Sequence, residues 1–89
     1  MAERQATIAS SSGLHARPAK LFVQAVQEKK LPVTIALEGG PDLNAGSILS
    51  IIGLGASHGS VVTLKAEGEG AEQALDELVT LLETDLDAE

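Results

Sequence analysis

The sequence contains two histidines, the residue type whose imidazole most often exchanges protons or acts as a nucleophile near neutral pH. His15 lies in the segment GLHARP, residues 13–18, and His58 lies in the polar segment SHGS, residues 57–60. The chain has no cysteine, which excludes disulfides, thiolate metal sites and thiol catalysis. We expect His58 to be an exposed turn residue, so candidate chemistry centres on His15.

The residues that follow His15 predict the start of a helix. Pro18 suits a first helical turn because proline has no N–H to satisfy there and its φ is already helical. A helix N-terminus offers backbone N–H groups, here from Ala16 and Arg17, and a partial positive charge that holds anions such as phosphate. Arg17 adds a cation, and the same field favours a neutral, nucleophilic His15. On spacing alone, a helix-capping histidine beside a surface arginine is the simpler explanation.

The composition excludes several classes of function. The chain has 89 residues, 6 Lys and Arg, 13 Asp and Glu, one Phe and neither Tyr nor Trp, which argues against nucleic-acid binding. No apolar run approaches the roughly 20 residues of a membrane span, and the N-terminus lacks a signal-peptide core. No metal-ligand spacing accompanies the histidines. We therefore expect a soluble, cytoplasmic, single-domain protein over residues 1–89, with no metal or cofactor.

The elements that must position His15 follow from hydrophobic periodicity. Strands are predicted at 4–10, 33–38, 43–44 and 61–66, and helices from the first turn around Pro18 to Lys30, after Ser47, and over 71–83. The first helix carries an apolar stripe of Leu21, Phe22, Ala25 and Val26. The last helix carries one of Ala71, Ala74, Leu75, Leu78, Leu81 and Leu82. The order β-α-β-β-α-β-α predicts an α+β open-faced β-sandwich, a four-stranded antiparallel sheet with three helices on one face. A ferredoxin-like domain shares much of this order.

Two sequence blocks resemble the HPr family, the histidine-containing phosphocarriers of bacterial sugar phosphotransferase systems. The first is GLHARPA, residues 13–19, followed by Phe22 and Val23, and the second is SILSIIGLG, residues 47–55. The resemblance implies an HPr-like fold along essentially the whole chain. It also implies that enzyme I, charged by phosphoenolpyruvate, phosphorylates His15 on Nδ1, and that the group then passes to a sugar-specific enzyme IIA. Arg17 would stabilise the phosphate, and Pro18 would start the helix and shape the anion pocket.

The second block predicts a short helix with a docking surface. Ser47 suits the N-cap, and four apolar residues in two turns are too many for one buried side. The resemblance assigns Leu49 and Ile52 to partner docking, and we expect Ile48 and Ile51 in the core. The positive charge of Lys20 on the first helix would steer acidic partners. The resemblance also implies phosphorylation of Ser47 by an HPr kinase/phosphorylase. Gly46 and Ser50 differ here from the lysine and glycine of many regulated relatives.

The residues leave two other functions open. One is a regulatory or nitrogen-related HPr paralogue, although an intact His15 argues against binding alone. The other is a ferredoxin-like module that binds a small ligand. The family resemblance implies a monomer. From Glu67 onward there are 9 acidic residues and no Lys or Arg, so residues 1–66 hold 13 − 9 = 4 acids and all 6 bases. The part of the chain that bears His15 is thus mildly basic.

Overall fold

The predicted order of strands and helices is confirmed in a computed structural model, which describes residues 2–9, 13 and 16–84. The strands are β1 (Ala2–Thr7), β2 (Val33–Leu37), β3 (Leu43–Asn44) and β4 (Val61–Ala66), and the helices are α1 (Ala16–Lys29), α2 (Ile48–Leu54) and α3 (Ala71–Leu82). The strands form one sheet in the order β1-β4-β2-β3, with every neighbouring pair antiparallel. The fold is thus the expected α+β open-faced sandwich.

The sheet has one apolar and one polar face because its strands alternate in sequence. In β4, Val62, Leu64 and Ala66 are buried, whereas Thr63 and Lys65 between them are only half-buried. The register places Leu64 opposite Ile35 of β2, which is also fully buried. Alternate residues of a strand point to opposite faces, so these positions form one continuous apolar surface under the helices. The helices therefore collect on that face.

The first strand differs at its ends from the prediction of 4–10. It begins at Ala2 and ends at Thr7 because its six residues pair with the six of β4, from Ala2 opposite Ala66 to Thr7 opposite Val61. The chain stays anchored after the strand, since Ile8 donates to the Ser60 carbonyl at 2.9 Å. Ala9 donates to the Leu82 carbonyl at 3.0 Å. The predicted final residue, Ser10, lies outside the described residues.

The buried face of α1 is rotated from the predicted stripe. Phe22 and Val26 are buried as expected, but Leu21 and Ala25 are only partly so. The face continues instead through Ala19, 0% exposed, and Val23, 6% exposed. Positions 19, 22, 23 and 26 follow the i, i+3, i+4, i+7 spacing that centres a helix on its core. In α3 the predicted face is buried apart from the half-buried Leu81.

The end of α1 is set by backbone geometry as well as by Pro32. Lys30 follows the helix with φ of 57°, in the left-handed region that stops a right-handed helix. Its N–H donates to the Gln27 carbonyl at 3.3 Å. The chain then turns into β2 within three residues.

Candidate functional site

The N-terminus of α1 begins directly after the GLH segment of the motif. Ala16 is the first residue of this 14-residue helix, and its first turn contains no acidic residue. Leu14 and His15, the predicted phosphoryl acceptor, lie outside the described residues. The positive end of α1 thus starts at the residue that follows His15 in sequence.

Arg17 and Pro18 occupy the second and third positions of α1, as the sequence predicted for a first turn. The Arg17 side chain is exposed, and Pro18 is among the fully buried side chains. A proline ring at this position removes no helical hydrogen bond, because the first N–H groups of a helix have no acceptor within it. The motif therefore combines a buried anchor with an exposed cation one residue earlier.

Gly13 shows how the chain before α1 is held. It is buried, with φ of 75°, and an added Cβ would lie 2.5 Å from the Ala56 carbonyl oxygen and 2.8 Å from the Ser57 Cα. The backbone of the motif thus packs on the backbone of the loop between α2 and β4. The sequence pattern assigned no separate role to this glycine. Its position as the first residue of the GLHARPA motif was the signal that could have identified it.

Helices α1 and α2 lie side by side in opposite directions. The Gln27 side-chain amide, near the end of α1, donates to the Gly46 carbonyl before α2 at 3.0 Å. At the other end, Gly13 precedes α1 and touches Ala56, which follows α2. Helix α2 therefore begins near the end of α1, and its C-terminal end leads into the loop on which the motif rests.

Three apolar side chains of α2, which we call the α2 patch, face solvent. Leu49 is 79% exposed, Ile52 44% and Ile48 38%, whereas Ile51 is fully buried. The expected exposure of Leu49 and Ile52 and the burial of Ile51 are confirmed. The expectation that Ile48 lies in the core is wrong, because only one side of this two-turn helix meets the core, and Ile51 and Leu54 occupy it. An exposed apolar group of this kind is typical of a protein-binding surface.

Ser47 caps α2 as predicted. Its backbone is extended, with φ of −112° and ψ of 121°, and its hydroxyl oxygen accepts from the Ser50 N–H at 3.4 Å. Gly55 ends the helix in the left-handed conformation, with φ of 72°. Seven residues rise about 10 Å, so Ser47 lies about that far along α2 from the loop that contacts Gly13. The cap is observed, and phosphorylation of Ser47 stays a prediction.

The three lysines in α1 and directly after it have different surroundings. Lys20 and Lys30 are exposed. Lys29 forms an ion pair with Glu77 of α3, which holds the pKa of the Glu77 carboxyl below its usual value. Lys29 therefore ties two helices together, while Lys20 lies in the second turn of α1, near Arg17. His58 is exposed in its turn, as expected.

Other features of the described part of the chain lie away from this end of α1. A cleft of about 330 Å³ is lined by Ala2, Ala66 and the start of α3, at the end of β1 remote from the motif. Among residues 2–9, 13 and 16–84, no three His, Asp or Glu side chains gather into a metal site. None of the helices in these residues has the length and hydropathy of a membrane span.

Comparisons with known proteins agree with the geometry. A family profile described as the PTS HPr component phosphorylation site matches residues 2–84. The phosphocarrier protein HPr of Streptomyces coelicolor is 46% identical over 82 residues, 92% of this chain and 88% of that protein. The HPr-like protein Crh of Halalkalibacterium halodurans is 35% identical over 83 residues, 93% of this chain and 98% of that protein.

A solved structure shares the fold. The crystal structure of HPr-C-His from Thermoanaerobacter tengcongensis aligns with a TM-score of 0.90 and 40% identity, over 100% of this chain and 99% of that chain. This match sets aside a ferredoxin-like fold. The family profile matches residues 2–84, the strands follow the order β1-β4-β2-β3, and the motif lies at the start of α1. The chain therefore belongs to the HPr family of phosphocarrier proteins.

Proposed function

We propose that this chain carries a phosphoryl group on His15, from phosphorylated enzyme I to a sugar-specific enzyme IIA. The observation that carries the proposal is the GLHARPA motif in a chain whose described residues fold as an HPr, with the motif leading directly into α1. The donor is charged by phosphoenolpyruvate. The chain acts as a carrier rather than as a turnover enzyme, as a single-domain monomer over residues 1–89, in the cytoplasm.

The proposed transfer exchanges one bond for another. The lone pair of Nδ1 of neutral His15 attacks phosphorus, the P–N bond forms, and the bond between phosphorus and the donor on enzyme I breaks. The proton on the other ring nitrogen stays in place. Donation to enzyme IIA is the reverse exchange with a new acceptor. No cofactor or metal takes part in these steps.

The charges at the start of α1 suit this exchange. Negative charge spreads over the equatorial oxygens of the transferred group, and a helix N-terminus and a nearby guanidinium stabilise such charge. We assign the first role to the backbone N–H groups of Ala16 and Arg17 and the second to the Arg17 side chain. The absence of any acidic residue in the first turn of α1 supports this assignment. Pro18 anchors the start of the helix and so shapes the anion pocket.

The α2 patch is the proposed contact surface for both partners, and we assign the exposed Lys20 of α1 to docking as well. Leu49 and Ile52 form the most exposed part of the patch, at 79% and 44%. Ile48, at 38%, adds to the same surface. Because α2 leads into the loop that contacts Gly13, a partner bound on the patch lies close to the start of α1.

A transfer assay tests the acceptor directly. The protein is incubated with enzyme I and phosphoenolpyruvate, and intact mass and site mapping locate the phosphate. We expect one acid-labile phosphoryl group on His15. The His58→Ala variant should be labelled like the wild type, whereas His15→Ala should not be. A label that persists in His15→Ala would exclude His15 as the sole acceptor.

A second modification is proposed at Ser47, by an HPr kinase/phosphorylase. Its position at the N-cap supports this, because a phosphate there meets the positive end of α2 and adds charge beside the patch without unfolding the helix. Incubation with ATP and such a kinase should give an acid-stable phosphate at Ser47. Acid-stable labelling of another serine, or none, would contradict the proposal.

The match to an HPr-like protein, Crh, is compatible with a second role that the sequence left open, that of a regulatory or nitrogen-related HPr paralogue. A panel of enzyme IIA acceptors separates these roles. Rapid transfer from phosphorylated protein to a sugar-specific enzyme IIA supports the sugar system. Transfer only to a nitrogen-related acceptor would place the chain in that branch instead.

A further inference from the structure

We propose that Gly13 is a positioning residue for phosphoryl transfer, through its direct backbone contact with the loop between α2 and β4. The inference rests on the proposed transfer to His15. Gly13 and Ala16, the first residue of α1, stand on either side of Leu14 and His15 in the sequence. The placement of Gly13 therefore bears on the placement of the acceptor.

The contact at Gly13 excludes any side chain. An ideal Cβ would lie 2.5 Å from the Ala56 carbonyl oxygen and 2.8 Å from the Ser57 Cα, and both atoms belong to backbone. Real Cβ atoms do not approach backbone this closely, so one of the two segments must move to admit a methyl group. The backbone at Gly13 is also left-handed, with φ of 75°. Glycine is thus required for space as well as for conformation.

The surface on which Gly13 rests is held firmly. Ala56 is fully buried. The Ser57 N–H donates to the Ser60 hydroxyl at 3.1 Å, and the Ser60 N–H returns a bond to the Ser57 carbonyl at 2.9 Å. Ile8 ties this loop to the sheet, because its carbonyl accepts from the Gly59 N–H and its N–H donates to the Ser60 carbonyl, each at 2.9 Å. A methyl group at residue 13 is therefore more easily accommodated by movement of the motif than of the loop.

Gly39 provides a matched control. Its φ of 77° is nearly that of Gly13, but an added Cβ would meet nothing within 4 Å. It lies in the turn between β2 and β3, outside the proposed site. The Gly39→Ala variant thus contains the left-handed strain without the collision. A difference between Gly13→Ala and Gly39→Ala isolates the effect of the contact.

The experiment measures kcat and KM of each full-length variant as the phosphoryl acceptor of enzyme I, with thermal unfolding followed in parallel. For Gly13→Ala we expect kcat to fall at least about tenfold, since displacement of a reacting group by about 1 Å costs up to about a hundredfold. KM should stay within about twofold, because the α2 patch is unchanged. Gly39→Ala should keep both constants while it loses some thermal stability.

A second variant tests the same contact from the loop. Ser60→Ala removes the hydroxyl that accepts from the Ser57 N–H, and leaves Gly13 intact. We expect a smaller fall in kcat, about twofold to fivefold, with KM unchanged. This variant decides the question if Gly13→Ala does not fold.

The outcomes separate the two proposals. If the wild type accepts no phosphoryl group at all, the proposed function fails. If the wild type is active and folded Gly13→Ala keeps its kcat, Gly13 has only a structural role. An unchanged kcat in Ser60→Ala, beside an unfolded Gly13→Ala, would equally overturn the positioning role.

Discussion

Arg17 follows His15 by two positions in the sequence, and its side chain is exposed at the positive end of α1. Its planar fork can donate two parallel hydrogen bonds to phosphoryl oxygens, which a lysine ammonium cannot match. At the level of single residues, its proposed role is therefore electrostatic and geometric, and separate from the structural role of the buried Pro18.

We predict that Arg17→Ala slows phosphoryl transfer about a hundredfold without unfolding the protein, since loss of one preorganised donor typically costs about 10²–10³ in kcat. Arg17→Lys should recover part of the rate, because it restores the charge without the fork. Rapid-quench measurement of transfer to and from His15 checks both variants.

Lys30→Ala is the charge control for Arg17. It removes one positive charge at the opposite end of α1, about 20 Å from Arg17 by helical rise. Its transfer rate should equal that of the wild type. Equal rates for Arg17→Ala and the wild type in both directions would rule out the electrostatic role of Arg17.

At the level of elements, α2 shows which features a local sequence pattern can predict and which it cannot. Its cap at Ser47 and its end at Gly55 were predictable, because both depend on residues within the helix and its flanks. The exposure of Ile48 was not, because hydrophobicity alone does not say which side of a two-turn helix meets a neighbour. Packing of α2 against α1 and β3 decides that Ile51 and Leu54 point inward.

We predict that Leu49→Ala raises KM for enzyme I about tenfold and leaves kcat nearly unchanged. The side chain is 79% exposed, so its loss removes partner contact and does not disturb the fold. Steady-state transfer kinetics and a thermal melt check the two halves of this expectation.

Val61→Thr is the matched control for Leu49. Val61 is also an exposed apolar residue, at 37%, but it lies on β4 rather than in the α2 patch. Threonine keeps the β-branched shape that suits a strand. An equal rise of KM in both variants would mean that the patch has no special part in docking.

For the whole molecule, ion pairs join elements that are distant in sequence. Arg4 of β1 contacts Asp76 at 3.0 Å and Glu72 at 3.4 Å, both on α3. Lys29 of α1 pairs with Glu77 of the same helix. The hydrogen bond that Arg4 donates to Asp76 raises the pKa of the Arg4 guanidinium, and the bond that Lys29 donates to Glu77 lowers the pKa of the Glu77 carboxyl. Carboxylates of α3, in the acidic C-terminal part of the chain, thus form ion pairs with cations of the more basic residues 1–66.

The lowered pKa of Glu77 makes this pair sensitive to acid. The fold favours the carboxylate, so the pair stabilises above the pH where an unfolded glutamate titrates, about 4.3. The contribution is lost as pH falls through the lowered pKa of Glu77. We predict that Glu77→Gln lowers the Tm slightly at pH 7 and that the difference from wild type shrinks as the pH falls from 7 toward 3.

Circular-dichroism melts at pH 7, 5 and 3, with and without about 1 M salt, measure this effect, since salt screens exposed pairs. Glu69→Gln is the control, an exposed carboxylate in the loop before α3. It should show no comparable pH-dependent loss. A difference for Glu77→Gln that is as large at pH 3 as at pH 7 would mean that the Lys29 pair is not its source.

The sequence by itself determined what depends on neighbours along the chain. Alternation marked β2 and β4, the Ser and Gly ends marked α2, and GLHARPA indicated the family and the proposed acceptor, His15. These signals are local, because a strand, a cap or a motif needs only a few consecutive residues. The family resemblance extended them to a complete fold, which the strand order confirms.

Only the tertiary structure decided which distant residues meet. It turned the buried face of α1 toward Ala19 and Val23, left Ile48 in solvent, and paired Arg4 with Asp76, 72 positions along the chain. It also brought Gly13 onto the Ala56 carbonyl. Close packing permits one arrangement of such contacts, and their identity depends on the folded path of the backbone rather than on any local pattern.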